Sequence, residues 1–189
     1  MRIESQEQSD AVLVEAAQQG RLDSFGALYQ RYHNPMVALA YAQLGDRHAA
    51  EDAAQEVFAV ACRDLGSLRE RAKFGAWLGG ICRNVCRQMR RVRTQTARPG
   101  SCDHPHGHEG HTEVEQQEQS DAVRRAVWQL AAEERELIVM RYFDGFSQAR
   151  IAQVLDLTPA AVNGRLTRAK RKIAESLEHS GFGSESWDA

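Results

Sequence analysis

Along almost the whole chain the apolar residues recur at intervals of three and four, and nowhere do they alternate with polar ones as a half-buried strand would require. That spacing restricts the fold to packed α-helices. Gly20 can end a first helix, Asp23 can cap a second, and Asn34-Pro35 offers a cap and a first-turn proline to a third. Gly45-Asp46 then separates the third from a fourth, Arg47 to Leu65, and a fifth is expected from about Lys73 to Val92. Further on, the same signals predict helices over 121–131, 133–143, 147–155 and 159–177.

The charge distribution divides the chain. The formal net charge of −2 over 189 residues conceals three blocks: +8 from Arg71 to Cys102, −6 from Asp103 to Asp121, and +5 from Leu157 to Ala174. The acidic block and the ARPGSCDHPHG leading into it hold Pro, Gly, His and Ser with almost nothing apolar, the composition of a flexible linker. The expected organisation is all-α: a helical domain over 1–97, an acidic His-rich linker over 98–119, a smaller helical domain over 120–178 and a tail over 179–189. The longest apolar run, Met36 to Ala42, is far below the roughly 18 residues of a bilayer span, so no membrane insertion is expected. The N-terminus lacks a signal-peptide core, and four irregularly spaced cysteines fit free thiols in a reducing cytoplasm.

Ser147 to Lys172 has the grammar of a helix-turn-helix: a short helix with Ile151, Ala152 and Leu155 inward, a turn at Asp156-Leu157, and a second helix that Thr158 caps and Pro159 starts. On that second helix Val162, Leu166, Ala169 and Ile173 form one apolar stripe, with Arg165, Arg168, Arg171 and Lys172 opposite or beside it. An apolar edge for docking and a basic edge for phosphates and base edges suit a helix that enters the major groove. In the first domain, the helix from Arg47 places Ala50, Ala54, Val57, Phe58, Ala61 and Leu65 on one side and Glu51, Asp52, Gln55 and Glu56 on the other. The next helix sets Arg83, Arg87, Arg90 and Arg91 along one face with Asn84 on its flank. Four arginines without a compensating acid repel one another unless an anion lies along them. Nucleic acid is the obvious anion. Trp77 and Phe74 fall on the apolar side of this helix, while Gly79-Gly80 interrupts it on the arginine side, where a close approach of DNA backbone or a kink would explain it.

AAEDAAQEVFAVACRDLGSLRERAKFGAWLGGICRNVCRQMRR resembles region 2 of the sigma-70 family, and LAAEERELIVMRYFDGFSQARIAQVLDLTPAAVNGRLTRAKRKI resembles its region 4. With no room for other regions, the chain resembles the compact extracytoplasmic-function group of bacterial sigma factors. The resemblance implies a transcription initiation factor, not an enzyme, that binds core RNA polymerase, recognises −10 and −35 promoter elements and promotes melting without a cofactor. It assigns Asp52, Gln55, Glu56, Val57 and Phe58 to the clamp helices of the largest polymerase subunit. The stretch Ser67 to Phe74, with Arg69, Arg71, Lys73 and Phe74, falls on the loop that captures a flipped −10 base; Arg83, Asn84, Arg87, Arg90 and Arg91 fall on the part that contacts the melted strand. Thr158, Asn163, Arg165, Arg168, Lys170 and Arg171 fall on the −35 helix. An anti-sigma protein is an implied partner. The chain departs from the family pattern at Gly79-Gly80, usually an aromatic and a basic residue, and at Ala149-Arg150, where an acid commonly precedes Ile151.

Two rival classes have definite tests. A stand-alone helix-turn-helix regulator leaves the whole N-terminal domain unexplained. A metal-responsive protein would use Cys102, His104, His106, His108 and His111, but their spacing matches no closed tetrahedral motif.

Overall fold

The computed structural model describes residues 8–96 and 114–180 and, among them, helices and turns only. The first domain comprises α1 (Asp10–Gln18), α2 (Leu22–Leu44), α3 (Arg47–Asp64) and α4 (Phe74–Thr96). The second comprises α5 (Val114–Gln129), α6 (Ala132–Ile138), α7 (Gln148–Leu155) and α8 (Pro159–His179). Short 3-10 turns at Leu65–Ser67 and Arg71–Lys73 join α3 to α4, and a π-helical turn at Val139–Phe143 extends α6.

In the first domain α2 is the spine, with α1, α3 and α4 packed on it through Leu28, Tyr32, Met36 and Leu39, all fully buried. In the second domain α8 plays that part, packing against α5, α6 and α7. Two local signals act as the sequence suggests. Gly45 adopts the left-handed conformation that closes α2, and the Asp46 carboxylate then accepts the Ala49 N–H at 2.7 Å to start α3. The Ser147 hydroxyl accepts the Arg150 N–H, and the Thr158 hydroxyl accepts the Ala161 N–H at 3.1 Å. Between those two caps Asp156 takes φ 54°, the left-handed position that turns α7 into α8.

Three boundaries differ from expectation. Asn34-Pro35 does not separate two helices, because α2 runs unbroken through a buried Pro35. Proline removes one i to i−4 hydrogen bond, and here the carbonyl it leaves behind, Arg31 O, is taken by the guanidinium of Arg150 from the second domain. Asp23 lies inside the first turn of α2, and Arg21 stands at the cap. Finally, α5 begins at Val114, so helix occupies the last part of the expected 98–119 linker.

The larger surprise is that the domains are joined. One contiguous apolar core runs through both, with α7 lying against α4 and α6 against α2.

Candidate polymerase and DNA interface

α3 separates two chemistries. Ala50, Ala53, Ala54 and Ala61 are fully buried, and their small side chains let α3 settle closely on its neighbours. Asp52, Gln55 and Glu56 stand exposed on the opposite face. Val57 and Phe58, assigned with them from the sequence, are 0% and 4% exposed. The Phe58 ring meets Tyr29 at 4.6 Å and Phe25 edge-on at 6.5 Å. Their part is to orient the acidic face from beneath, and they do not form the surface itself.

The segment from Leu65 to Phe74 is held by a residue the sequence reading did not single out. Gln18, at the end of α1, donates through Nε2 to the carbonyls of Leu65 (3.0 Å) and Leu68 (2.9 Å), and its Oε1 accepts from Arg71 at 2.9 Å. Arg71 also pairs with Glu15, and Lys73 with Glu70, which raises the lysine pKa through the hydrogen bond and charge of that carboxylate. Arg69 is exposed and, among the described residues, has no ion-pair partner. Phe74 is a second correction. It is 0% exposed, edge-on to Tyr32 at 5.2 Å and beside Trp77 at 5.8 Å, a core aromatic with no face left for a base.

Along α4 the arginine stripe is split. Arg87, Arg90 and Arg91 are exposed, and Arg87 donates to the Asn84 side-chain oxygen at 3.0 Å. Arg83 instead makes a two-pronged contact with Glu136 of α6, at 2.8 and 3.1 Å. Glu136 is only 1% exposed and takes a third hydrogen bond, 2.6 Å, from Gln43. The carboxylate raises the Arg83 pKa, its hydrogen bond outweighing the opposing effect of burial. Charge-assisted bonds of this bidentate kind are about twice as strong as neutral ones.

α8 docks through Val162, Leu166, Ala169, Ile173 and Leu177. Asn163 and Arg168 project outward, and Arg165 is half-buried. No ion pair among the described residues engages either arginine. Lys170 lies 5.9 Å from the Tyr142 ring centre, Arg171 pairs with Glu175, and Lys172 pairs with Glu134 at 2.6 Å. Thr158 spends its hydroxyl on the helix cap.

Cys102, His104, His106, His108 and His111 lie outside the described residues. Among the described residues no group of three or more His, Cys, Asp or Glu side chains could hold a metal ion, and no helix is long and apolar enough to cross a membrane.

Residues 28–96 match the family model "Sigma-70 region 2" and residues 120–173 match "Sigma-70, region 4". The chain is 31% identical over 172 residues to the ECF RNA polymerase sigma factor SigM of Mycobacterium tuberculosis, covering 90% of this chain and 86% of that protein. It is 28% identical over 190 residues to the ECF RNA polymerase sigma-E factor of Escherichia coli, covering 92% and 97%. Among solved structures, CnrH in complex with the cytosolic domain of CnrY is similar with a TM-score of 0.60 and 26% identity, covering 91% of this chain and 99% of that one. A helical module with an acidic face and a basic face, followed by a helix-turn-helix, is thus the architecture of a promoter-recognising transcription initiation factor that acts with RNA polymerase. The chain belongs to the extracytoplasmic-function group of the sigma-70 family.

Proposed function

We propose that Asp52, Gln55 and Glu56 on α3 dock this chain on the clamp helices of the largest polymerase subunit. Arg69, Arg71 and Lys73 with the outer stripe Arg87, Arg90 and Arg91 then receive the −10 element. Arg83 joins that stripe when the second domain moves off it. Asn163, Arg165 and Arg168 on α8 read the −35 element, with Lys170 and Arg171 on phosphates. The observation that carries this reading is the α3 surface, where three exposed polar side chains stand on a face whose reverse side is closed by fully buried alanines and Val57.

Docking both DNA-binding domains on one enzyme makes the second contact effectively intramolecular, and avidity can exceed either affinity by about 10² to 10⁴. Unpaired bases are held by stacking and hydrogen bonding at about 1 to 3 kcal/mol each, so melting needs no nucleotide hydrolysis by this chain. The chain acts in the cytoplasm, where polymerase is. CnrH is captured in its solved structure with the cytosolic domain of CnrY; by analogy an anti-sigma protein holds this chain until a signal releases it.

Single-round run-off transcription with purified core polymerase tests the reading. Core plus this chain should initiate at discrete start sites where core alone does not. DNA binding without stimulated initiation would instead establish the stand-alone regulator.

A further inference from the structure

The two domains meet along one ridge of α4. Gly75 and Gly79 lie one turn apart on it, and Arg83 continues the row. A Cβ on Gly79 would lie 2.8 Å from the Val154 carbonyl oxygen of α7. A Cβ on Gly75 would lie 2.8 Å from the Tyr32 ring and 3.1 Å from the Gln153 carbonyl oxygen. Gly80 meets nothing within 4 Å, so the tight position is Gly79 alone. The backbone that approaches the glycines is therefore the chain's own. Both carbonyls belong to the last turn of α7, where helical carbonyls lack intrahelical partners.

Around this contact the polar groups of the two domains satisfy one another. Arg150 places its guanidinium 4.0 Å from the centre of the Tyr32 ring and donates to the Arg31 carbonyl that Pro35 leaves without its helical N–H. Gln153 donates at 2.9 Å to Asp10, a carboxylate only 6% exposed that also accepts from the Tyr32 hydroxyl and from Arg31. Arg135 donates to the Ala42 carbonyl at 2.6 Å and covers Trp128, whose ring meets Tyr41 edge-on. Beyond the glycines, Glu136 presents to Arg83 the two oxygens that a DNA phosphate would. Gly79 and Arg150, the two departures from the family pattern, are thus opposite sides of the same interface.

We propose that the free chain is self-inhibited: its second domain docks on the DNA-facing ridge of α4, latched by Gly75 and Gly79 against α7 and by Glu136 acting as an internal phosphate mimic on Arg83. The proposal rests on the sigma-factor reading for the meaning of the ridge. In the docked state Asp52, Gln55 and Glu56 remain exposed, so polymerase can engage the closed chain and favour the open one. If only a fraction of the free chain is open, its apparent affinity for the −10 strand falls by that fraction.

The test compares full-length wild type with Gly79→Ala, Arg150→Ala and Glu136→Gln. Alanine favours helix over glycine, so Gly79→Ala strengthens α4 locally while its methyl group collides with Val154. Small-angle scattering reads the docking. Titration with a fluorescent single-stranded oligonucleotide, covering the −10 region mapped with the holoenzyme, reads the inhibition. The expected result is a larger radius of gyration for Gly79→Ala and Arg150→Ala, and at least tenfold tighter oligonucleotide binding for all three variants as free chains. With core polymerase present, the advantage should shrink to less than about threefold, because both forms are then open. An unchanged radius in both interface variants overturns the latch. An increased radius with unchanged oligonucleotide affinity overturns the inhibition. Should Gly79→Ala fail to fold, Arg150→Ala and Glu136→Gln decide the matter alone. Absence of promoter-dependent transcription by wild type would strike at the sigma-factor reading and leave the scattering result standing.

Discussion

The outer face of α3 and the arginine face of α4 are both strongly charged and belong to one bundle, yet they are treated differently by the rest of the molecule. On the acidic face of α3, Asp52, Gln55 and Glu56 stand exposed, with no other helix among the described residues over them. The basic face of α4 is covered at its N-terminal end by α7, and its first arginine is engaged by the buried Glu136, while Arg87, Arg90 and Arg91 stay outside. The difference teaches that charge pattern alone does not tell which surface is available. A stripe with no acid in its own sequence neighbourhood is neutralised at Arg83 by an acid more than fifty residues away.

The comparison can be broken at several points. The largest effect is expected from Asp52→Arg combined with Glu56→Arg, which should abolish co-purification with core polymerase while circular dichroism shows unchanged helix content. Retained binding would reduce the α3 face to a solvated surface. Phe74→Ala should cost about 3 to 5 kcal/mol of stability in denaturant unfolding, the usual price of emptying an aromatic core site. A near-neutral stability change with lost melting of promoter DNA would return Phe74 to the DNA-binding loop. On α8, Arg165→Ala or Arg168→Ala should cost about 1 to 3 kcal/mol and relax preference at one −35 position, read by footprinting with the holoenzyme. The smallest effect is expected on the uncovered end of α4. There Arg87→Ala or Arg90→Ala should reduce the slope of log affinity against log salt by about 1 each, without changing sequence preference.

Much of the fold was legible because its local signals act locally. Asp46, Ser147 and Thr158 cap their helices, Asp156 takes the left-handed turn, and the alanine face of α3 is buried where its spacing put it. Some misreadings are local, as at Asp23, which lies inside the first turn of α2, and at the early start of α5, but the larger ones are tertiary. Asn34-Pro35 has the local signature of a helix start, and only the arrival of Arg150 at the orphaned carbonyl shows why the helix continues. For Gly79-Gly80 the sequence leaves open a close approach of DNA backbone or a kink; what approaches is polypeptide, and only at Gly79, which a helical wheel cannot show. Glu136 is one acid among several in EERE, and burial by another domain leaves no mark on its sequence neighbours. Gln18 carries no charge and sits in no motif, and its hydrogen bonds to a distant loop are invisible until the chain is folded.

The single core that runs through both domains also bears on how this molecule comes apart. Domains with separate cores melt independently, each with its own transition. Here Leu39 of α2 and Val154 of α7 converge on Gly79, so losing either domain strips apolar cover from the other. The docked wild type should therefore unfold in one calorimetric transition, and Gly79→Ala or Arg150→Ala, which let the folded domains separate, should divide it into two.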